Sequence, residues 1–124
     1  MKKINVLIAD DDMDSHQLMD DILEIVLKNV KIDRTLNLQG FWSKISDEQN
    51  SYGLVLLSPG LIKEEQETFL DKLNSSNPEL MQKIVLIGKE LDFENCAMDI
   101  KLLPFLSKPF SLDHFESIIK AMQK

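Results

Sequence analysis

Three consecutive aspartates, Asp10, Asp11 and Asp12, follow the apolar run Ile4-Asn5-Val6-Leu7-Ile8-Ala9 without a break. Adjacent carboxylates repel one another and cost stability unless a cation or a basic group sits among them. A basic group stands near the far end of the chain, where Lys108, followed by Pro109, closes another apolar-rich stretch. A carboxylate cluster facing one lysine suits Mg2+, a hard cation that takes oxygen ligands and keeps several waters. The competing reading is that Asp12 or Asp14 only caps the helix that follows and that Lys108 is a surface lysine. That reading serves Asp12 well, but it is the weaker account of Asp10 and Asp11 taken together with Lys108. Neither His16 nor His114 falls where it could act as a base, and both read as surface residues.

Composition excludes several classes of function. A net charge of −7, from 21 acidic against 14 basic residues, repels phosphate backbones, so no nucleic-acid partner is expected. The lone cysteine, Cys96, rules out an internal disulfide. No apolar run approaches the ~18 residues that span a bilayer, and the stretch after Met1-Lys2-Lys3 is too short for a signal-peptide core. A chain of 124 residues with 44% hydrophobic content can bury a real core. The expectation is one domain spanning residues 1–124, soluble and cytoplasmic, with no membrane partner.

The elements that must position these residues follow from hydrophobic period. Ile4 to Ala9 is a nearly continuous apolar run, as expected of a strand buried on both faces of a parallel sheet. Leu18, Met19, Ile22, Leu23, Ile25 and Val26 then recur at helical spacing. Val30 to Leu38 alternates imperfectly and reads as a second strand, and Gly40 to Asp47 as a short helix burying Phe41, Trp42 and Ile45. Leu54-Val55-Leu56-Leu57 is a wholly apolar third strand stopped by Ser58-Pro59-Gly60. Leu61 to Ser75 is expected to be helical, and Asn77-Pro78 to break it. Ile84-Val85-Leu86-Ile87 is a fourth buried strand ended by Gly88, and Leu91 to Ile100 a short helix. Leu102 to Leu106 forms a fifth strand, and Ser111 caps a closing helix that buries Phe115, Ile118, Ile119 and Met122.

Five strands alternating with five helices imply an α/β fold with parallel pairing and helices on both faces of the sheet. In open sheets of this kind the site lies outside the carboxyl ends of the strands. The places to look are therefore Ala9 to Asp12, Ser58 to Gly60, Gly88 to Lys89, and Ser107 to Pro109.

At those places a resemblance becomes specific. The run Val6-Leu7-Ile8-Ala9-Asp10-Asp11-Asp12 resembles the first strand and acidic pair of response-regulator receiver domains. Leu103-Pro104-Phe105-Leu106-Ser107-Lys108-Pro109-Phe110 resembles their last strand with its Lys-Pro-Phe ending. The similarity extends over essentially the whole chain in element order and spacing. It implies a flavodoxin-like (βα)5 doubly wound parallel sheet of strand order 2-1-3-4-5. It also implies that Asp10, Asp11 and the carbonyl of Gly60 hold Mg2+, and that Lys108 pairs with a phosphoryl group or the acceptor carboxylate. The partner it implies is a histidine kinase, a phosphotransfer protein or a downstream effector.

Two departures carry more weight than the match. Where the family ends its third strand in a phosphoryl-accepting aspartate, this chain has Ser58; neither Asp47 nor Asp71 is placed to substitute. Where the family has a threonine or serine switch after the fourth strand, this chain has Gly88, followed by Lys89. Phe105 keeps the aromatic character of the family's signalling position, and plain core packing explains it equally well. A serine hydroxyl is un-ionised near neutral pH and needs an adjacent base, so Ser58 is a poor acceptor for phosphohistidine. Only weak Mg2+ binding is expected, and Lys108 is left to pair with Asp10 or Asp11 directly. The leading expectation is a degenerate, non-enzymatic receiver-like module acting through protein contacts. The alternative is a working phosphorelay receiver that uses Asp10 or Asp11 as acceptor. A flavodoxin-like cofactor binder is disfavoured, because Ser58-Pro59-Gly60 offers little glycine to cradle a phosphate and the acidic strand end repels one.

Overall fold

A computed structural model of the chain describes residues 4–11, 20–25, 29–47, 52–63, 65–76, 78–89, 93–94, 96, 100–107 and 112–122. Its five strands are β1 (Ile4–Ala9), β2 (Val30–Thr35), β3 (Leu54–Leu57), β4 (Ile84–Gly88) and β5 (Phe105–Ser107). They form one sheet of order β2-β1-β3-β4-β5 in which every pairing is parallel. The α/β topology and strand order expected from the sequence are both present. The helical elements are α1 (residues 20–25), α2 (Leu38–Ser46), α3 (Gln66–Ser76) and α4 (Leu112–Met122).

Alternation along the strands splits the core into two layers. Leu7, Ala9, Val55, Leu57, Ile84 and Leu86 face one side, where α2 contributes Phe41 and Ile45 and α3 contributes Phe69 and Leu73. Val6, Ile8, Leu54, Leu56, Val85 and Ile87 face the other, against Leu23 of α1 and Phe115 of α4. Both faces are covered, which is why β1, β3 and β4 read as unbroken apolar runs. β2 has one neighbour and is only partly buried, so its sequence can carry Lys31, Asp33 and Arg34. Those polar groups fasten the edge. Tyr52 donates a hydrogen bond to Asp33 Oδ2 at 2.8 Å, and Arg34 pairs with Asp20 of α1.

Several boundaries differ from the sequence expectation. β2 stops at Thr35 rather than Leu38, because the Asn37 side chain accepts from the Gly40 N–H at 2.7 Å and starts α2 two residues before Gly40. The expected helix from Leu61 is preceded by a 3-10 turn at Pro59–Ile62, and α3 begins only at Gln66. A second 3-10 turn, Pro78–Gln82, follows α3. β5 starts at Phe105, not Leu102, since Ile100–Leu102 form a further 3-10 turn; the Pro104 carbonyl still accepts from the Leu86 N–H at 2.8 Å. Of the expected helix over 91–100, residues 93–94 are helical. Leu91 and Ser111, the expected cap, lie outside the described residues, as do Asp12, Asp14 and His16.

Candidate functional site at the carboxyl ends of the strands

β1 and β3 run in register to their ends, with Ala9 opposite Leu57. The ladder continues one step further, because the Ser58 N–H donates to the Ala9 carbonyl at 2.8 Å. Asp10 and Ser58 are thereby the next facing positions across the two central strands. On its other side the Asp10 N–H donates to the Thr35 carbonyl of β2 at 3.2 Å. Asp10 is 1% exposed, while Asp11 beside it is exposed.

Ser58 is buried and its carbonyl accepts from the Leu61 N–H at 3.1 Å, which opens the Pro59–Ile62 turn. Its hydroxyl does not cap that turn. Gly60 lies over it: a Cβ at Gly60 would stand 3.6 Å from Ser58 Oγ, an ordinary contact. The carboxylates considered as substitutes are elsewhere. Asp47 follows α2 close enough to act on the Tyr52 phenol, on the side where β3 begins, and Asp71 is exposed on α3.

Gly88 is the last residue of β4, buried, and paired with Ser107 of β5. It brings backbone and no hydroxyl to the edge, and Lys89 after it is exposed. Phe105 sits two residues earlier in register, opposite Leu86, partly buried and stacked on Phe93. It therefore has the packing role open to it from sequence. His114 is exposed on α4. Lys108, Pro109 and Phe110 lie outside the described residues.

Among the described residues no three His, Cys, Asp or Glu side chains group as metal ligands. Among the described residues, Asp10, Asp11 and Ser58 bring side-chain oxygens to this edge. Hard oxygen donors of this kind suit Mg2+ better than a soft metal.

Two supporting residues escaped the sequence reading. Thr35 holds Asp10 through its carbonyl, and its own hydroxyl donates to the Asn37 carbonyl at 3.1 Å. Gly40 is packed so closely that a Cβ there would lie 2.1 Å from Thr35 Oγ1. The Thr-x-Asn-x-x-Gly spacing is the only local signal of this arrangement. An open groove of ≈ 550 Å³ also reaches Gly60, lined besides by Leu38, Gln39, Trp42, Leu61 and Lys63.

No protein-family model matches the sequence, and no curated protein does. Solved structures match in fold. A response regulator receiver domain protein from Clostridium thermocellum has a TM-score of 0.74 at 16% identity, over 96% of this chain and 93% of that one. A two-component response regulator from Clostridium difficile has a TM-score of 0.73 at 25% identity, over 98% and 96%. The N-terminal signal receiver domain of a two-component system response regulator from Bacteroides fragilis has a TM-score of 0.75 at 16% identity, over 99% and 98%. The chain has the receiver-domain fold.

Proposed function

We propose that this chain is a receiver-like signalling module of a two-component or phosphorelay system that works by protein contact, without phosphoryl transfer to itself. One observation carries the reading. The residue that faces buried Asp10 across the β1–β3 ladder is Ser58, a neutral hydroxyl where acceptor chemistry needs a carboxylate. The switch position supports the same conclusion, since Gly88 has no side chain with which to follow a phosphoryl oxygen. Asp10 and Asp11 would hold Mg2+ weakly, which supplies charge neutralisation rather than a reaction. The module is non-enzymatic, and its partner is a histidine kinase, a phosphotransfer protein or a downstream effector. No helix among the described residues is long and apolar enough to cross a membrane.

Titration with beryllofluoride and Mg2+, followed by amide NMR, tests the proposal. The wild-type spectrum is expected to stay unchanged, while Ser58→Asp, which restores a third carboxylate, is expected to gain Mg2+-dependent shifts around Asp10. The competing phosphorelay reading needs Asp10 or Asp11 as acceptor, and burial of Asp10 disfavours it there. Mass spectrometry after acetyl phosphate treatment separates the two: a labile adduct on either aspartate overturns the proposal.

A further inference from the structure

β5 is an edge strand of three residues with β4 as its one neighbour. A strand so short and bonded on one side has few backbone contacts to keep it from fraying. Its two faces are secured differently. Leu106 is fully buried in the layer that contains Ile87 and Phe115. Phe105, on the opposite face, is only partly buried, and its ring lies flat against Phe93 with centroids 4.2 Å apart and planes 16° from parallel. The other aromatic neighbours among the described residues, Phe41, Trp42 and Phe69, meet tilted or edge-on.

Phe93 belongs to the connection between β4 and β5, and its backbone is tied at both ends. Its N–H donates to the Lys89 carbonyl at 3.3 Å, one residue beyond Gly88, and its carbonyl accepts from the N–H of buried Cys96 at 3.0 Å. The stack thus joins the start of the crossover, next to Gly88, to β5 two residues before Ser107. These are the two positions that pair at the strand ends.

We propose that the Phe93–Phe105 stack is a conformational clasp that holds β5 and the start of its crossover in one arrangement, whatever binds beside Asp10 and Ser58. The inference rests on the proposed function in one respect: Gly88, paired with Ser107, brings no side chain of its own to the end of β4. The clasp makes the position of Phe105 a property of packing rather than of ligand state.

Hydrogen exchange of the full chain reads this directly. Phe93→Leu keeps apolar volume and loses the ring face, so the Leu106 amide is expected to exchange roughly three- to tenfold faster. Amides of Ile8 and Leu56 in the central strands should keep wild-type rates. Phe93→Tyr retains the ring and should restore slow exchange at Leu106. Unchanged exchange at Leu106, or equal acceleration in the central strands, overturns the clasp. Should Phe93→Leu not fold, Phe105→Leu removes the stack from the other side and carries the same expectation. The beryllofluoride titration separates this inference from the reading it rests on. Shifts at Asp10 with Phe105 ring resonances in place sink the proposed function and leave the clasp standing, whereas movement of both sinks both.

Discussion

The middle of the sheet and its carboxyl edge are built from the same three central strands but obey different constraints. In the middle, β1, β3 and β4 bury every side chain from Val6 to Ala9, Leu54 to Leu57 and Ile84 to Ile87 between two helical layers. One residue further on, the same strands present Asp10, Ser58 and Gly88, of which only Asp10 has a carboxyl side chain. The middle answers to packing, where each methylene removed leaves a void. The edge answers to chemistry, and a small neutral residue there relieves carboxylate repulsion instead of opening a cavity. The layered middle can therefore stay the same whichever residues stand at its carboxyl edge.

That contrast can be broken by substitutions ordered by their expected cost. Leu56→Ala empties a fully buried site in the centre of β3 and should cost roughly 2–5 kcal/mol in chemical denaturation. Gly40→Ala forces a methyl against Thr35 Oγ1, 2.1 Å from the Cβ position, and should cost roughly 1–3 kcal/mol. Because Thr35 also holds the Asp10 N–H, the Asp10 amide resonance is expected to shift in that variant.

Tyr52→Phe should cost about 1 kcal/mol near neutral pH by removing the hydrogen bond to Asp33. Burial, the bond to Asp33 and the charges of Asp33 and Asp47 all hold the Tyr52 phenol above its ordinary value. The unfolded chain then ionises first, so the contribution of Tyr52 is whole below about pH 10 and declines as pH rises further. Denaturation midpoints of wild type and Tyr52→Phe should converge in strong base; parallel curves there would refute this account. Ser58→Ala comes last, at about 0.5 kcal/mol or less, although it stands two residues from Leu56, just past the end of β3. A loss comparable to that of Leu56→Ala would show that the edge is part of the core after all.

The sequence alone determined the three central strands, their parallel order and the edge on which chemistry would fall. Continuous apolar runs such as Leu54 to Leu57 and Ile84 to Ile87 fit strands covered on both faces, and Asp10, Ser58 and Gly88 stand at their ends by simple counting. Boundaries set by local competition were less legible. Asn37 ends β2 early by capping α2, and Pro59 opens a 3-10 turn where helical spacing alone pointed to a longer helix. What only the tertiary structure decided are contacts between residues far apart in the chain. Thr35 holds Asp10, the Ala9 carbonyl places Ser58 beside it, and Phe93 stacks on Phe105. Hydrophobic period encodes which face of an element is buried; it carries no record of which distant backbone or ring will meet that face. For Phe105, whose apolar ring fits equally well as core or as signal, nothing in the sequence pointed to Phe93 as its neighbour.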